Sequence, residues 1–202
     1  MLVRTDMDAV LERAIRVVAQ DRGASMGDIA ARVGVSRATL TRLFSTREGM
    51  IDAMGRRILA HCEEVLDEAR LDDAPVDGAL AVLVRNYDVL AQLWSVVYVE
   101  ADVLGVAELS DAADTVVERI TAFVVRGQGE ALFRTDMPAT WLASTLCSLA
   151  ECAWELVGEG AMGDRQAPAC LTELLLDGAR PRPPAATTTD PRPEPSPKES
   201  RA

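Results

Sequence analysis

Apolar residues recur every three or four positions along most of this chain, which is the spacing of amphipathic α-helices. The first such run comprises Val10, Leu11, Ala14, Ile15 and Val18, and the residues between them are mostly polar. No segment alternates apolar and polar residues in the way that a half-buried β-strand does. The pattern therefore predicts an all-α protein.

Residues 25–44 predict two short helices joined by a tight turn. Ser25 and Asp28 have the spacing of a capping box at the start of the first helix. Gly34 can adopt the left-handed conformation that ends this helix, and Ser36 can cap the next. The arrangement is typical of a DNA-reading helix-turn-helix, and an ordinary helical hairpin with polar residues outside also fits these twenty residues.

The second of these helices has one apolar side and one polar side. Leu40 and Phe44 are four residues apart and pack on the first helix. At about 100° per residue, the opposite side carries small, hydroxyl and guanidinium groups, which suit the major groove. We expect base-edge contacts from Arg37, Ala38, Thr39 and Arg42. We expect phosphate contacts from Ser25, Thr41 and Arg47, with Ser36 on the same DNA-binding surface.

The formal charge of −11 over 202 residues argues against a nucleic-acid partner for the chain as a whole, but its distribution reverses that conclusion. Residues 1–57 contain ten arginines and seven acidic residues, a net charge of +3. Residues 58–179 contain six arginines and 22 acidic residues, a net charge of −16. The basic charge coincides with the predicted helix-turn-helix, so the local field favours phosphate there.

Residues 7–57 resemble the N-terminal domain of the TetR (tetracycline-repressor-like) transcriptional regulators. The resemblance is carried by MDAVLERAIRVVAQDRG and by DIAARVGVSRATLTRLFSTREGMIDAM. The second stretch contains the glycine-valine-serine turn, the aromatic Phe44 and the Arg47–Glu48 pair that opens a fourth helix. Ser45 and Glu48 predict a capping box for that helix. Members of the family most often have an aromatic residue where Thr41 stands, and Thr41 offers a shorter hydroxyl contact to the DNA backbone.

The rest of the chain predicts a helical ligand-binding and dimerisation domain over residues 58–179. A long helix from Glu48 to about Arg70 joins it to the helix-turn-helix domain of residues 1–57. The helices expected after it are Pro75 to about Trp94, Ser110–Gly127, Pro138–Val157 and Pro168–Leu176, with a short apolar segment at Ser95–Leu104. Residues 180–202 hold seven of the ten prolines and predict a disordered tail.

The last two predicted helices carry more apolar surface than one face can bury. Beside the stripe that includes Leu142, Leu146 and Leu149 lie further apolar or small residues: Trp141, Thr145, Cys152, Trp154, Leu171, Leu174 and Leu175. Such a surplus indicates self-association, and the resemblance implies dimerisation through the last two helices as a four-helix bundle. One unusually large monomeric core is the alternative.

No pattern of catalytic residues is recognisable, and we expect neither an enzyme nor a cofactor. The four cysteines lack CxxC spacing and stand at apolar helical positions, which predicts reduced, buried thiols and no metal site. Residues that could line an internal ligand pocket are Met54, His61, Trp94, Tyr98 and Phe123. Plain core packing is the competing interpretation of these residues.

The resemblance implies a repressor that binds a palindromic DNA operator as a homodimer and is released by a small-molecule effector. A helical ligand-binding or interaction protein that has lost DNA binding is the alternative. No signal peptide or transmembrane run is recognisable, so we expect a cytoplasmic protein with no membrane partner.

Overall fold

The computed structural model describes residues 2–101 and 107–180, with the side chains of 7–98 and 108–180. Within these residues the chain forms nine helices and no strand. They are α1 (Leu2–Gln20), α2 (Met26–Val33), α3 (Arg37–Phe44), α4 (Arg47–Ala69), α5 (Val76–Arg85), α6 (Tyr87–Gln92), α7 (Ala107–Gly129), α8 (Ala139–Gly158) and α9 (Ala167–Ala179). The all-α prediction is confirmed. The predicted tail, apart from residue 180, and the end of the Ser95–Leu104 segment lie outside the described residues.

The turn between α2 and α3 forms as the sequence predicts. The Ser25 hydroxyl accepts a hydrogen bond from the Asp28 amide, and the Asp28 carboxylate accepts one from the Ser25 amide. Gly34 ends α2 with φ of +85°, where a side chain would be strained. Ser36 caps α3 by accepting from the Thr39 amide. We call helices α1–α3 the head.

The start of α4 differs from the prediction, because Ser45 does not cap this helix. Ser45 has φ of +57°, and the cap is Thr46, whose hydroxyl accepts a hydrogen bond from the Gly49 amide. The predicted capping box of Ser45 and Glu48 is therefore wrong by one position. The left-handed turn at Ser45 moves the following residue into the capping geometry.

The predicted helix from Pro75 to about Trp94 is broken at Asn86. The Asn86 side-chain amide donates to the Val82 carbonyl at 2.9 Å, and so does the Asn86 backbone amide at 3.2 Å. The segments Val76–Arg85 and Tyr87–Tyr98 bend by 67° at this point. Apolar residues are buried on both sides of the break, so the hydrophobic pattern runs through it and conceals it. After α6 the chain continues as a π-helical segment, Leu93–Ala101.

We call α5–α9 with the π-helical segment the body, and α4 joins it to the head. One cluster of buried apolar side chains runs from Val10 in α1 to Ala179 in α9, so the head shares its core with the body. α4 packs on α5, α7 and the π-helical segment, and α8 packs on α6 and α7. Gly55 permits a close approach of α4 to α7, since a Cβ atom there would lie 2.5 Å from Leu109 Cδ1. In the described part of the chain, no single helix is long and apolar enough to cross a membrane. The bent pair Val76–Arg85 and Tyr87–Tyr98 is long and apolar enough only when its two segments are counted together.

Candidate nucleic-acid interface and its connection to the body

α3 presents the face that helical geometry predicts. Leu40 is fully buried and Phe44 is buried beside it. The opposite face is open to solvent and carries the exposed residues Arg37, Ala38, Thr41 and Arg42, with Thr39 half-buried at its edge. Two arginines, a small residue and hydroxyl groups therefore stand together on one exposed helix, which is a surface that suits base edges and phosphates.

Unlike Arg22 and Arg32, Arg37 and Arg42 have no ion pair or side-chain hydrogen bond among the described residues. Arg32 pairs with Asp21, and Arg22 pairs with Glu151 in the body. An unpaired, exposed guanidinium group can form a bidentate contact without first breaking an internal one. The two arginines of α3 therefore have the chemistry that reads guanine edges.

Three hydroxyl groups of the predicted site, those of Ser25, Ser36 and Thr39, form hydrogen bonds within the protein. Ser36 Oγ and Thr39 Oγ1 lie 2.8 Å apart, and Ser25 Oγ donates to the Asp28 carboxylate at 2.6 Å. The hydrogen bonds from Ser25 lower the pKa of the Asp28 carboxyl, which keeps this cap charged. Ser25 and Ser36 accordingly organise the ends of α2 and α3 in the free protein.

Arg47 lies at the start of α4 but points back to the loop between α1 and α2. Its Nη1 donates to the Ala24 carbonyl at 2.6 Å, and its Nη2 donates to the Arg22 carbonyl at 2.8 Å. These charge-assisted bonds fix the start of α4 to the base of α2. The phosphate contact that the sequence predicts for Arg47 stays a prediction, and in the free protein its guanidinium group joins α4 to the head.

The five predicted pocket residues occupy different environments. Trp94 and Tyr98 are half-buried, their ring centroids are 5.0 Å apart, and the Tyr98 hydroxyl donates to Asp114 at 2.8 Å. Burial, together with the hydrogen bond to Asp114, raises the pKa of Tyr98. Phe123 packs edge-on against Phe133 in the core.

Two residues of the predicted pocket remain. Met54 is fully buried in α4, and His61 is half-buried on the same helix. None of the five lines the cleft between α1, α6 and α8 or the groove between α8 and α9. Core packing therefore accounts for Met54 and Phe123, while the Trp94–Tyr98 pair stays a candidate.

Glu151 joins the head to the body, a role that no sequence motif indicated. Its Oε1 accepts a hydrogen bond from the Ser95 hydroxyl at 2.7 Å, and the same atom lies 3.8 Å from Arg22 Nη2. Ser95 is 2% exposed and lies in the π-helical segment. Since the Arg22 carbonyl also binds Arg47, polar contacts run from the body to the start of α4. The one sequence feature that could have indicated this contact is Ser95, a polar residue within an otherwise apolar segment.

The outer faces of α8 and α9 form an apolar groove of about 350 Å³. Trp141 is 54% exposed and Leu174 is 61% exposed, although both are large and apolar. Leu149 lines this groove together with Leu142 and is half-buried, at the outer edge of the apolar stripe. Ala143 and Cys147 are buried beside Leu142 and Leu146, because α8 buries a wider face than a narrow heptad stripe.

The prediction of four buried thiols holds for two cysteines only. Cys62 and Cys147 are buried, and desolvation raises the pKa of each to about 12. Cys152 is exposed and Cys170 is half-buried. Cys152 stands 11 residues after Trp141, which places it on the same side of α8 as the groove.

The chain is similar to known bacterial regulatory proteins. Residues 10–54 match the family model of bacterial regulatory proteins of the tetR family. The HTH-type transcriptional repressor LfrR of Mycolicibacterium smegmatis is 28% identical over 166 residues, 82% of this chain and 86% of LfrR. The HTH-type transcriptional regulator NfxB of Pseudomonas aeruginosa is 24% identical over 175 residues, 85% of this chain and 94% of NfxB.

Solved structures agree over nearly the whole described fold. The TetR-like regulator LfrR in complex with proflavine superimposes with a TM-score of 0.66 at 27% identity, covering 87% of this chain and 97% of LfrR. AibR in complex with isovaleryl coenzyme A and operator DNA superimposes with a TM-score of 0.63 at 20% identity, covering 84% of this chain and 97% of AibR, which is a likeness of fold.

Proposed function

We propose that this chain, which belongs to the TetR family of bacterial regulatory proteins, is a DNA-binding transcriptional repressor that a small molecule releases from a palindromic operator. The observation that carries this proposal is the exposed face of α3, on which Arg37 and Arg42 have no partner among the described residues. The relative LfrR is named a transcriptional repressor, which favours repression over activation.

DNA reading on this proposal divides between base edges and phosphates. Arg37, Ala38, Thr39 and Arg42 contact bases in the major groove, and Ser25, Ser36 and Thr41 lie against the backbone. Arg47 contributes by holding α4 to the loop before α2, and its charge adds to the field that phosphates meet.

A homodimer formed through the groove of α8 and α9 supplies two reading heads. A two-fold symmetric dimer reads two half-sites about 34–36 Å apart on one face of the duplex, so a palindromic operator follows from the symmetry. The exposed Trp141 and Leu174 support this interface, since soluble monomers seldom leave such side chains in one apolar patch.

The effector is proposed to bind the body. LfrR has been crystallised with proflavine and AibR with isovaleryl coenzyme A, so both of these similar proteins bind small molecules. The Trp94–Tyr98 pair, which lies within the π-helical segment, is the favoured part of the predicted pocket. A ligand that prefers a body conformation incompatible with operator geometry shifts the population away from DNA binding. We place the protein in the cytoplasm, where it meets DNA.

A gel-shift with the DNA upstream of the protein's own gene tests the proposal. We expect the native chain to form a retarded complex with this DNA, and an unrelated duplex should not compete for it. The double variant Arg37→Ala with Arg42→Ala should not form the complex. If native protein and variant bind both duplexes with the same affinity, the chain is instead a ligand-binding or interaction protein that has lost DNA reading.

A further inference from the structure

A cleft of about 470 Å³ lies where the head meets the body. Arg16, Ala19 and Gln20 line it from the end of α1. The lining from the body comes from α6, from the end of α8 and from the loop that follows, and includes Tyr87, Asp88, Trp154, Glu155 and Asp164. Its volume lies within the range of about 300–1,000 Å³ typical of small-molecule pockets, which form preferentially at domain boundaries.

The lining of the cleft is negatively charged, and further arginines, Arg165 and the Glu68-paired Arg85, line the adjoining cleft beside Asp88 and Asp164. The carboxylates of Asp88 and Glu155 have no ion pair or hydrogen bond among the described residues, and the Asp164 carboxylate accepts a hydrogen bond only from the Tyr87 hydroxyl, at 3.2 Å. Arg16 is the one basic residue on the lining, and it makes no ion pair with these carboxylates. Three carboxylates and one guanidinium give a net charge of −2 in a concave site, which attracts cations.

The cleft also contains an aromatic surface. Trp154 is half-buried and lines the cleft on the same turn of α8 as Glu155. Tyr87 is 3% exposed, and burial, followed by its hydrogen bond to Asp164, raises its pKa to about 12, so its hydroxyl stays a donor to that carboxylate. An indole face beside carboxylates attracts a cation through both the ring quadrupole and the formal charges.

We propose that this cleft is a binding site for a planar organic cation, held by Trp154 and by the carboxylates of Asp88 and Glu155. The ligand touches α1 and α8 at once, so it stabilises one placement of the head on the body. Glu155 follows Glu151 by one turn of α8, which brings the ligand next to the Arg22–Glu151 salt bridge. Only this consequence for DNA release depends on the proposed function; binding itself does not.

Titration of the full-length protein with proflavine, without DNA, tests the site. Acridine serves as an uncharged probe of the same shape when used above neutral pH. The double variant Asp88→Asn with Glu155→Gln should weaken proflavine binding about tenfold, because two ion pairs of typical strength are lost. Trp154→Leu should weaken it about fivefold, and Trp154→Phe, which keeps an aromatic face, should stay within about twofold.

A matched control is Glu64→Gln with Asp72→Asn, which removes the same net charge at two exposed residues outside the cleft. This control should bind proflavine as the native chain does, and acridine should bind much more weakly than proflavine to both. Equal affinities for the cleft variant, the control and the native chain would overturn the proposal by placing the dye elsewhere. Acridine binding as tightly as proflavine would overturn the assignment to a cation. Melting curves and gel-shifts of each variant separate loss of the site from loss of folding or DNA binding.

Discussion

Arg22 and Glu151 form the ion pair that joins the α1–α2 loop to α8, with Arg22 Nη2 3.8 Å from Glu151 Oε1. The Arg22 side chain is 48% exposed and that of Glu151 is 20% exposed, so water screens the pair. Its contribution to stability is therefore small, and its importance lies in the position of the head.

The first prediction concerns this pair. A double-mutant cycle with Arg22→Gln and Glu151→Gln should give a coupling energy below about 1 kcal/mol in chemical unfolding. The same variants should change the effector concentration that releases operator DNA, because each removes the charge attraction between Arg22 and Glu151 that joins the head to the body. Arg32→Gln, which breaks the exposed pair with Asp21 inside the head, is the control and should leave release unchanged.

The second prediction separates base reading from positioning within the head. Arg42→Ala should cost about 1–3 kcal/mol of operator binding and relax the preference at one base pair. Arg47→Ala should weaken binding to all sequences alike and lower the stability of the head by about 1 kcal/mol, because two charge-assisted hydrogen bonds to carbonyls are lost. Operator titrations with single base substitutions, with parallel melting curves, distinguish the two. An unchanged sequence preference after Arg42→Ala contradicts its assignment.

The third prediction concerns the groove of α8 and α9. Trp141→Glu should reduce the mass in light scattering from about twice the chain mass to 21.7 kDa, since a carboxylate in an apolar interface loses its hydration. Val125→Glu is the matched control, because Val125 is 55% exposed on α7, away from the groove. A chain that is monomeric without any substitution, or a dimer that survives Trp141→Glu, argues against this interface.

The fourth prediction uses the thiols. Cys62 and Cys147 should resist alkylation near neutral pH, because burial raises the pKa of each to about 12 and leaves little thiolate. Cys152 should react slowly in the dimer and several-fold faster in Trp141→Glu, since it stands on the groove side of α8. Mass spectrometry after timed iodoacetamide treatment measures both rates, and rapid labelling of Cys152 in a dimeric sample would place it outside the interface.

The fifth prediction concerns Gly55, where α4 passes close to α7. Gly55 has a packing role, because an added Cβ atom meets Leu109 Cδ1 at 2.5 Å. Gly55→Ala should lower the unfolding free energy by about 1–3 kcal/mol through overpacking, and Leu109→Ala in the same chain should recover part of that loss. No recovery in the double variant would contradict the assignment of the loss to a clash with Leu109.

The capping residues show what local sequence can predict. Ser25, Gly34 and Ser36 act on backbone groups within four residues, so their effect is readable without knowledge of the rest of the fold. The exposed face of α3 follows from the same short-range geometry. The sequence did not predict the helix break at Asn86, because the apolar period continues across it. It also did not predict Thr46 as the cap of α4, because the positive φ of Ser45 is not evident from the sequence.

The sequence by itself determined that the chain is all-helical, where the head lies and which residues of α3 face outward, because helix periodicity and capping depend on neighbours along the chain. Only the tertiary structure decided that Arg47 turns inward to carbonyl groups, that Glu151 connects Ser95 to Arg22, and that an acidic, aromatic cleft opens between α1 and α8. These contacts join residues from 23 to more than 100 positions apart. The packing of the helices determines which arginines and carboxylates come into contact, and the spacing of residues along the sequence does not predict these contacts.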